Sequence, residues 1–213
     1  MTAANQDSEM VRTDARRIAL LSDTHFMAGD GGDVPQPLLD MLVGAGLIVH
    51  LGHISSPGAL DRIETVAPVL AVQTELDDKL MGERLAGETD SGRTRGYTRV
   101  IEANGVRIGL VHDFSAHGVE VPLIDVDGTR RLAFPDIPME DILSSRFGSP
   151  VQVVACAATH DPFVLFREGV LFVNPGSPNL PDGRRKGGPG AFALLTLDHG
   201  AVAVEVIDFD ASS

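Results

Sequence analysis

Cysteine is nearly missing from this 213-residue sequence: Cys156 stands alone. An internal disulfide is therefore excluded, and because Cys156 lies inside an apolar run, the expectation is a buried, inert thiol in a reducing, cytoplasmic setting. Basic residues are scarce too. Seventeen Lys and Arg face 30 Asp and Glu, giving a formal charge of −13. Such an excess of acid repels phosphate backbones, which argues against generic nucleic-acid binding through a broad basic face but leaves room for a phosphate-bearing small molecule. Long apolar runs are also lacking. The first 16 residues are polar and mixed in charge, with no apolar signal core, and no stretch approaches membrane-spanning length, so no secretory signal, membrane helix or membrane partner is expected. Internal repeats, heptads and linkers are absent as well.

What remains is 43% hydrophobic and 22% charged, enough to build a core and too apolar for a disordered acidic chain. The expected organisation is a flexible tail over residues 1–16 and one domain over 17–213, with homo-oligomerisation left open. Arg17–Ser22 reads as a buried strand ending in Asp23-Thr24-His25. A helix over Pro37–Val43 precedes a strand, Leu47–Leu51, that ends at Gly52-His53. A helix near Ala59–Val66 leads to Val69–Val72, followed by Gln73-Thr74-Glu75-Leu76-Asp77. This alternation indicates an α/β sheet.

Further on, Thr98–Glu102 and Val106–Val111 flank Asn104-Gly105, the signature of a tight hairpin. Its second strand ends at His112-Asp113. A punctuated stretch from Ser115 to Gly148 contains a short helix at Met139–Ser145. Val151–Ala155 then leads to Thr159-His160, and two more hairpins follow, at Phe163–Val173 and Ala191–Ile207.

Five polar clusters thus fall at strand ends: Asp23/His25, His53, Glu75/Asp77, His112/Asp113 and His160/Asp161. Carboxyl ends of strands in an open α/β sheet share one edge, so these side chains can meet there. Imidazole and carboxylate are ligand types for Zn, Mn, Fe or Ni, so the inference is a metal site. Asp77, Asp113 and Asp161 could orient neighbouring imidazoles. His50 reads as structural, and His117 and His199 as ordinary turn residues.

With those segments in order, together with Val173-Asn174-Pro175-Gly176-Ser177-Pro178, the chain resembles the calcineurin-like metallophosphoesterases, in particular the small YfcE-type phosphodiesterases. The resemblance runs from about Ile18 to Ile207. It implies a four-layer α/β/β/α sandwich with a dinuclear metal centre along one edge, and hydrolysis of a phosphoester, above all a phosphodiester, by a metal-activated water. It also admits an alternative: a catalytically degenerate copy of the fold serving as a protein-interaction scaffold, as in the retromer subunit of this fold.

The family motifs usually read Asp-x-His, Gly-Asp, Gly-Asn-x-Asp, His-Gly-His and Gly-His-x-His, and only the first is intact. Gly52-His53 replaces Gly-Asp, Thr74-Glu75 replaces Gly-Asn, His112-Asp113-Phe114 replaces His-Gly-His, and Ala157-Ala158-Thr159-His160 replaces Gly-His-x-His. An imidazole cannot supply the two oxygens of a bridging carboxylate, and Ala158 offers no ligand. Asp23 and Glu75 nevertheless keep two carboxylates at the ligand positions, and His25, His53, His112 and His160 add neutral nitrogen donors. The expected cofactor is one or two divalent transition ions. Arg184 and Arg185, in the basic loop Gly183–Gly188, are the candidates for meeting a substrate phosphate.

Overall fold

Strand β2 (Arg17–Leu21) sends alternate side chains to opposite faces, with Ile18 and Leu20 in one apolar core and Ala19 and Leu21 in another. A strand buried on both faces needs a covering layer on each side, and that requirement organises the whole molecule. The computed structural model describes residues 10–81, 92–116, 118–179 and 190–209.

β2 lies within a five-stranded sheet ordered β13-β12-β2-β3-β4, where β3 is Leu47–His50, β4 Val69–Ala71, β12 Gly190–Asp198 and β13 Ala201–Phe209. The outer face of this sheet is covered by α1 (Gln36–Leu42) and α2 (Pro57–Glu64), which contribute Leu38, Leu39, Leu42, Leu60 and Ile63 to the first core. The inner face packs on a six-stranded sheet ordered β1-β5-β6-β9-β11-β10, burying Ile18, Leu20 and Val49 against Ile101, Ile108 and Val153. In that sheet β1 is Val11–Thr13, β5 Thr98–Ala103, β6 Val106–Val111, β9 Val153–Ala155, β10 Phe163–Arg167 and β11 Val170–Asn174. Its far face is covered by α4 (Met139–Phe147), whose Met139, Ile142, Leu143 and Phe147 meet Val100, Val154 and Phe172. Four layers result, α/β/β/α, as the resemblance implies.

The three expected hairpins form, each turning on a pair of left-handed residues: Asn104-Gly105, Glu168-Gly169 and His199-Gly200. Gly109 of β6 is required by packing, since a Cβ there would sit 2.6 Å from the Phe147 ring. Cys156 is buried as expected, and burial pushes its thiol up to about 12. No helix among the described residues is long and apolar enough to cross a membrane.

Three expectations are corrected. Val11–Thr13, placed in a loose tail, instead forms β1, paired in parallel with β5 through Val11 and Ile101. Glu75-Leu76-Asp77, read within the polar end of a strand, instead open helix α3 (Glu75–Met81). The helix is nucleated by a reciprocal cap in which Asp77 N–H donates to Thr74 Oγ1 (3.1 Å) and Thr74 N–H donates to Asp77 Oδ2 (2.9 Å). The punctuated stretch also contains a separate ribbon, β7 (Leu123–Val126) with β8 (Thr129–Leu132), turning on Asp127-Gly128.

Candidate metal centre

β2 and β3 run parallel with Leu21 beside His50, and their pairing continues past both strand ends. Leu51 N–H donates to Leu21 O (2.8 Å), Asp23 N–H to Gly52 O (3.0 Å) and His25 N–H to His53 O (3.3 Å). The loops that carry Asp23, His25 and His53 are thereby held side by side. On the other sheet β6 and β9 are parallel, and Ala157 N–H donates to His112 O (2.7 Å), bringing the His112 and His160 loops together.

The turn Asn174–Asn179 ties the two sheets to each other at this edge. Asn174 Nδ2 donates to Ala157 O (3.1 Å) and Thr159 Oγ1 (2.8 Å) on one side. On the other, Ser177 Oγ donates to Asp23 O (2.7 Å), Asn179 Nδ2 to Thr24 O (2.9 Å), and Ser22 Oγ to Gly176 O (2.7 Å). Six non-glycine residues of these loops are left-handed: Asp23 (φ 52°), His25 (48°), His53 (54°), Ser55 (66°), Ala158 (69°) and His160 (58°). Each costs about 1 kcal/mol or more, and such strain persists only where surrounding bonds over-determine the backbone.

The side chains converge on Asp23. Its Oδ1 lies 2.7 Å from His53 Nδ1, 3.3 Å from His160 Nε2 and 3.8 Å from His112 Nε2. One ligand atom from each of Asp23, His25, His53 and His160 falls within 4.8 Å of the other three. Asp23 Oδ2 and His25 Nε2 are buried with no hydrogen-bond partner among the described residues. A buried carboxylate oxygen and a buried imidazole nitrogen, both unpartnered and belonging to one cluster, are costly unless something binds there, and a divalent cation satisfies both.

The electrostatics agree. Burial on its own would raise the Asp23 carboxyl, but hydrogen bonds from His160 and His53, with His112 close by, hold it well below the usual carboxylate range. Desolvation lowers His25, an effect Asp23 opposes without cancelling, and it lowers His112 in the same way. Neutral imidazole is the form that donates a lone pair to a metal. His112 Nδ1 sits 2.7 Å from Leu51 O, so it carries the proton and leaves the Nε2 lone pair facing Asp23.

Of the six expected ligands, the structure gathers Asp23, His25, His53 and His160 into one group, with His112 at its margin. Glu75 is not brought in. As the first residue of α3 it is exposed, and its charge helps to raise Tyr97 rather than reaching the imidazoles. Asp77 is buried, and its carboxylate is spent on backbone: it accepts N–H groups of His53 (3.0 Å), Ile54 (2.7 Å) and Thr74 (2.9 Å). Asp113 likewise accepts the N–H and hydroxyl of Ser115. His50 is structural as read, accepting Gly52 N–H at Nδ1 (3.2 Å) and meeting Thr24 Oγ1 through Nε2 (3.0 Å). Arg184, Arg185 and His117 lie outside the described residues. Asn174 and Ser177 were not anticipated as clamps, although their Asn-Pro-Gly-Ser-Pro context marked a turn at this edge.

Residues 17–200 match the model of the calcineurin-like phosphoesterase superfamily domain. A probable metallophosphoesterase of Methanothermobacter thermautotrophicus is 28% identical over 164 residues, covering 77% of this chain and 78% of that protein. Among solved structures, a mutant Vps29 from Entamoeba histolytica superimposes with a TM-score of 0.58 at 21% identity, covering 91% of this chain and 99% of that one. A predicted phosphoesterase from Streptococcus pneumoniae superimposes with a TM-score of 0.56 at 18% identity, covering 91% and 90%.

Proposed function

Because this chain belongs to the calcineurin-like phosphoesterase superfamily, we propose that it is a divalent-metal-dependent hydrolase of phosphoesters, with phosphodiesters the favoured class. The observation that carries this reading is the convergence of Asp23, His25, His53 and His160 on one small volume, with buried unpartnered atoms on two of them. In this reading those four residues hold the ion and His112 supports them from the margin. A bound divalent ion supplies Lewis acidity toward a phosphoryl oxygen and lowers the pKa of water. The chain's own contribution is rigid placement: the left-handed loops and the Asn174–Asn179 turn fix the ligands before substrate arrives. His53 and His160 each keep 22% of the side chain exposed, so the cluster opens to solvent on the side where a phosphoester can approach. The basic pair Arg184 and Arg185 is the proposed partner for the phosphate.

A second reading, the protein-interaction scaffold, is favoured by the edge strand β10, where Val164, Leu165 and Phe166 are exposed and Phe166 reaches 70%. The two separate on turnover of bis(p-nitrophenyl) phosphate by metal-loaded protein, measured before and after chelation. Chelator-sensitive turnover that disappears in Asp23→Ala supports the hydrolase. No turnover by folded, metal-loaded protein on a panel of phosphomonoesters and phosphodiesters retires it.

A further inference from the structure

Resting on the metal-dependent reading above, we propose that this chain holds a single divalent ion in a nitrogen-rich cage, and that the cage selects borderline ions such as Zn²⁺ or Co²⁺ over Mn²⁺ and Mg²⁺. The dinuclear pattern that the resemblance implies does not fit the residues present.

Geometry gives the first reason. Nitrogen and oxygen ligands bind such an ion at about 2.1 Å, so the ligand atoms around one ion stand no more than roughly 4.2 Å apart. Ligand atoms of Asp23, His25, His53 and His160 within 4.8 Å of one another need only a small contraction to close on one ion. Two ions about 3.5–4 Å apart would need a bridging group and a second ring of donors.

Among the described residues the second ring is reduced to the single Nε2 of His112, at the margin of the group 3.8 Å from Asp23 Oδ1, and one neutral nitrogen does not hold a second ion. At the position of the bridging carboxylate stands His53, whose neutral ring has one lone pair to give. Ala158 presents a methyl group. Glu75 is exposed at the start of α3. Thr74 Oγ1 is committed to Asp77 (2.8 Å), and Asp77 to the backbone around it. Both ring nitrogens of His50 are used, by Gly52 and Thr24.

Charge gives the second reason. Asp23 is the one carboxylate in the group, and it is fully buried. One divalent ion leaves a net +1 at that point, whereas two would leave +3 in a poorly solvated place, offset in part by the buried Asp77 carboxylate, whose charge reaches His25 and His112. The donor set gives the third. Three imidazoles to one carboxylate suit Zn²⁺, Co²⁺ or Ni²⁺, while Mg²⁺ and Mn²⁺ favour oxygen-rich sites.

The test is metal stoichiometry, independent of turnover. Stripped protein is equilibrated with Zn²⁺ or Mn²⁺, passed through a desalting column and analysed for metal, with Asp23→Ala as the baseline for ions held by surface carboxylates. One Zn²⁺ per chain above that baseline, and Mn²⁺ affinity at least tenfold weaker, is the expected result. Co²⁺ loading followed by visible absorption gives a second readout on the unmodified protein, with the spectrum saturating at one equivalent. Two ions per chain, or tighter binding of Mn²⁺ than Zn²⁺, overturns the proposal and leaves the hydrolase reading intact. One ion without phosphoester turnover retires the hydrolase reading and leaves the proposal standing. A positive control is His53→Asp with Ala158→His, in which a second ion is expected; one ion there as well would mean that these two positions do not set the number, overturning the argument from them.

Discussion

Asp77 Oδ2 accepts the backbone N–H of His53 at 3.0 Å while its Oδ1 accepts that of Ile54 at 2.7 Å, so a carboxylate with no place among the ligands fixes the left-handed loop that carries one of them. Asp77→Ala would strand these N–H groups and that of Thr74 in a buried place, at a cost of about 3 kcal/mol or more. The expected outcome is a lower urea midpoint together with weaker Zn²⁺ binding. Asp77→Asn, which keeps one acceptor oxygen, should fall between Asp77→Ala and the parent in both measurements. Equal Zn²⁺ affinity in all three proteins would show that the loop holds His53 unaided.

Asp23 behaves in the opposite way, because its buried Oδ2 satisfies nothing in the protein itself. Removing a ligand removes the stabilisation that metal gives the native state, about 2.7 kcal/mol at a free-ion concentration of one hundred times Kd. Thermal melts should therefore separate the two states. Zn²⁺ is expected to raise the Tm of the parent and to leave that of Asp23→Ala unchanged, each compared with its own stripped form, the stripped variant melting lower because His53 and His160 lose the Oδ1 they share. A metal-induced shift that survives in Asp23→Ala would place the ion elsewhere.

The sequence made much of this edge legible because topology does the assembling. Parallel strands ending in Asp23, His53, His112 and His160 deliver those residues to one side whatever their exact lengths, and alternation along Arg17–Leu21 announces a strand covered on both faces. Local chemistry that overrides the strand-end pattern was harder to read. Thr74-Glu75-Leu76-Asp77 is a capping sequence, and starting a helix there places Glu75 on the exposed first turn and draws Asp77 inward. The β7–β8 ribbon carries a turn signal at Asp127-Gly128, but its strands, Leu-Ile-Asp-Val and Thr-Arg-Arg-Leu, lack apolar alternation because they cover little of the core. β1 owes its existence to a partner ninety residues away, which no local pattern reveals.

Acid should destabilise the stripped protein well above the carboxylate range. Burial lowers His50 from 6.5 to about 4, so the unfolded chain binds a proton between those values that the native state refuses. Stability from this group is complete above pH 6.5 and declines as pH falls toward 4, and His25 and His112, also lowered, act with the same sign. The depressed Asp23 carboxyl adds a further loss only below its unfolded value of 3.8. Urea melts in chelator should show a loss of roughly 2 kcal/mol or more between pH 7 and pH 5. A flat profile over that interval would mean that the buried imidazoles accept protons without penalty.

Ala158 stands where a left-handed backbone would be eased by glycine, at φ 69°. A Cβ in that conformation costs about 1 kcal/mol, and Asn174, by donating to Ala157 O and Thr159 Oγ1, holds the residues on either side so that the loop cannot relax. Ala158→Gly removes the Cβ penalty but frees the unfolded chain, and in a left-handed site the first effect is the larger. The variant should therefore match or exceed the parent, by up to about 1 kcal/mol in urea, with Zn²⁺ stoichiometry unchanged because a methyl group donates nothing. A loss of 1 kcal/mol or more would mean that the methyl group packs well enough to outweigh the strain, and the loop would then be built around alanine rather than merely tolerating it.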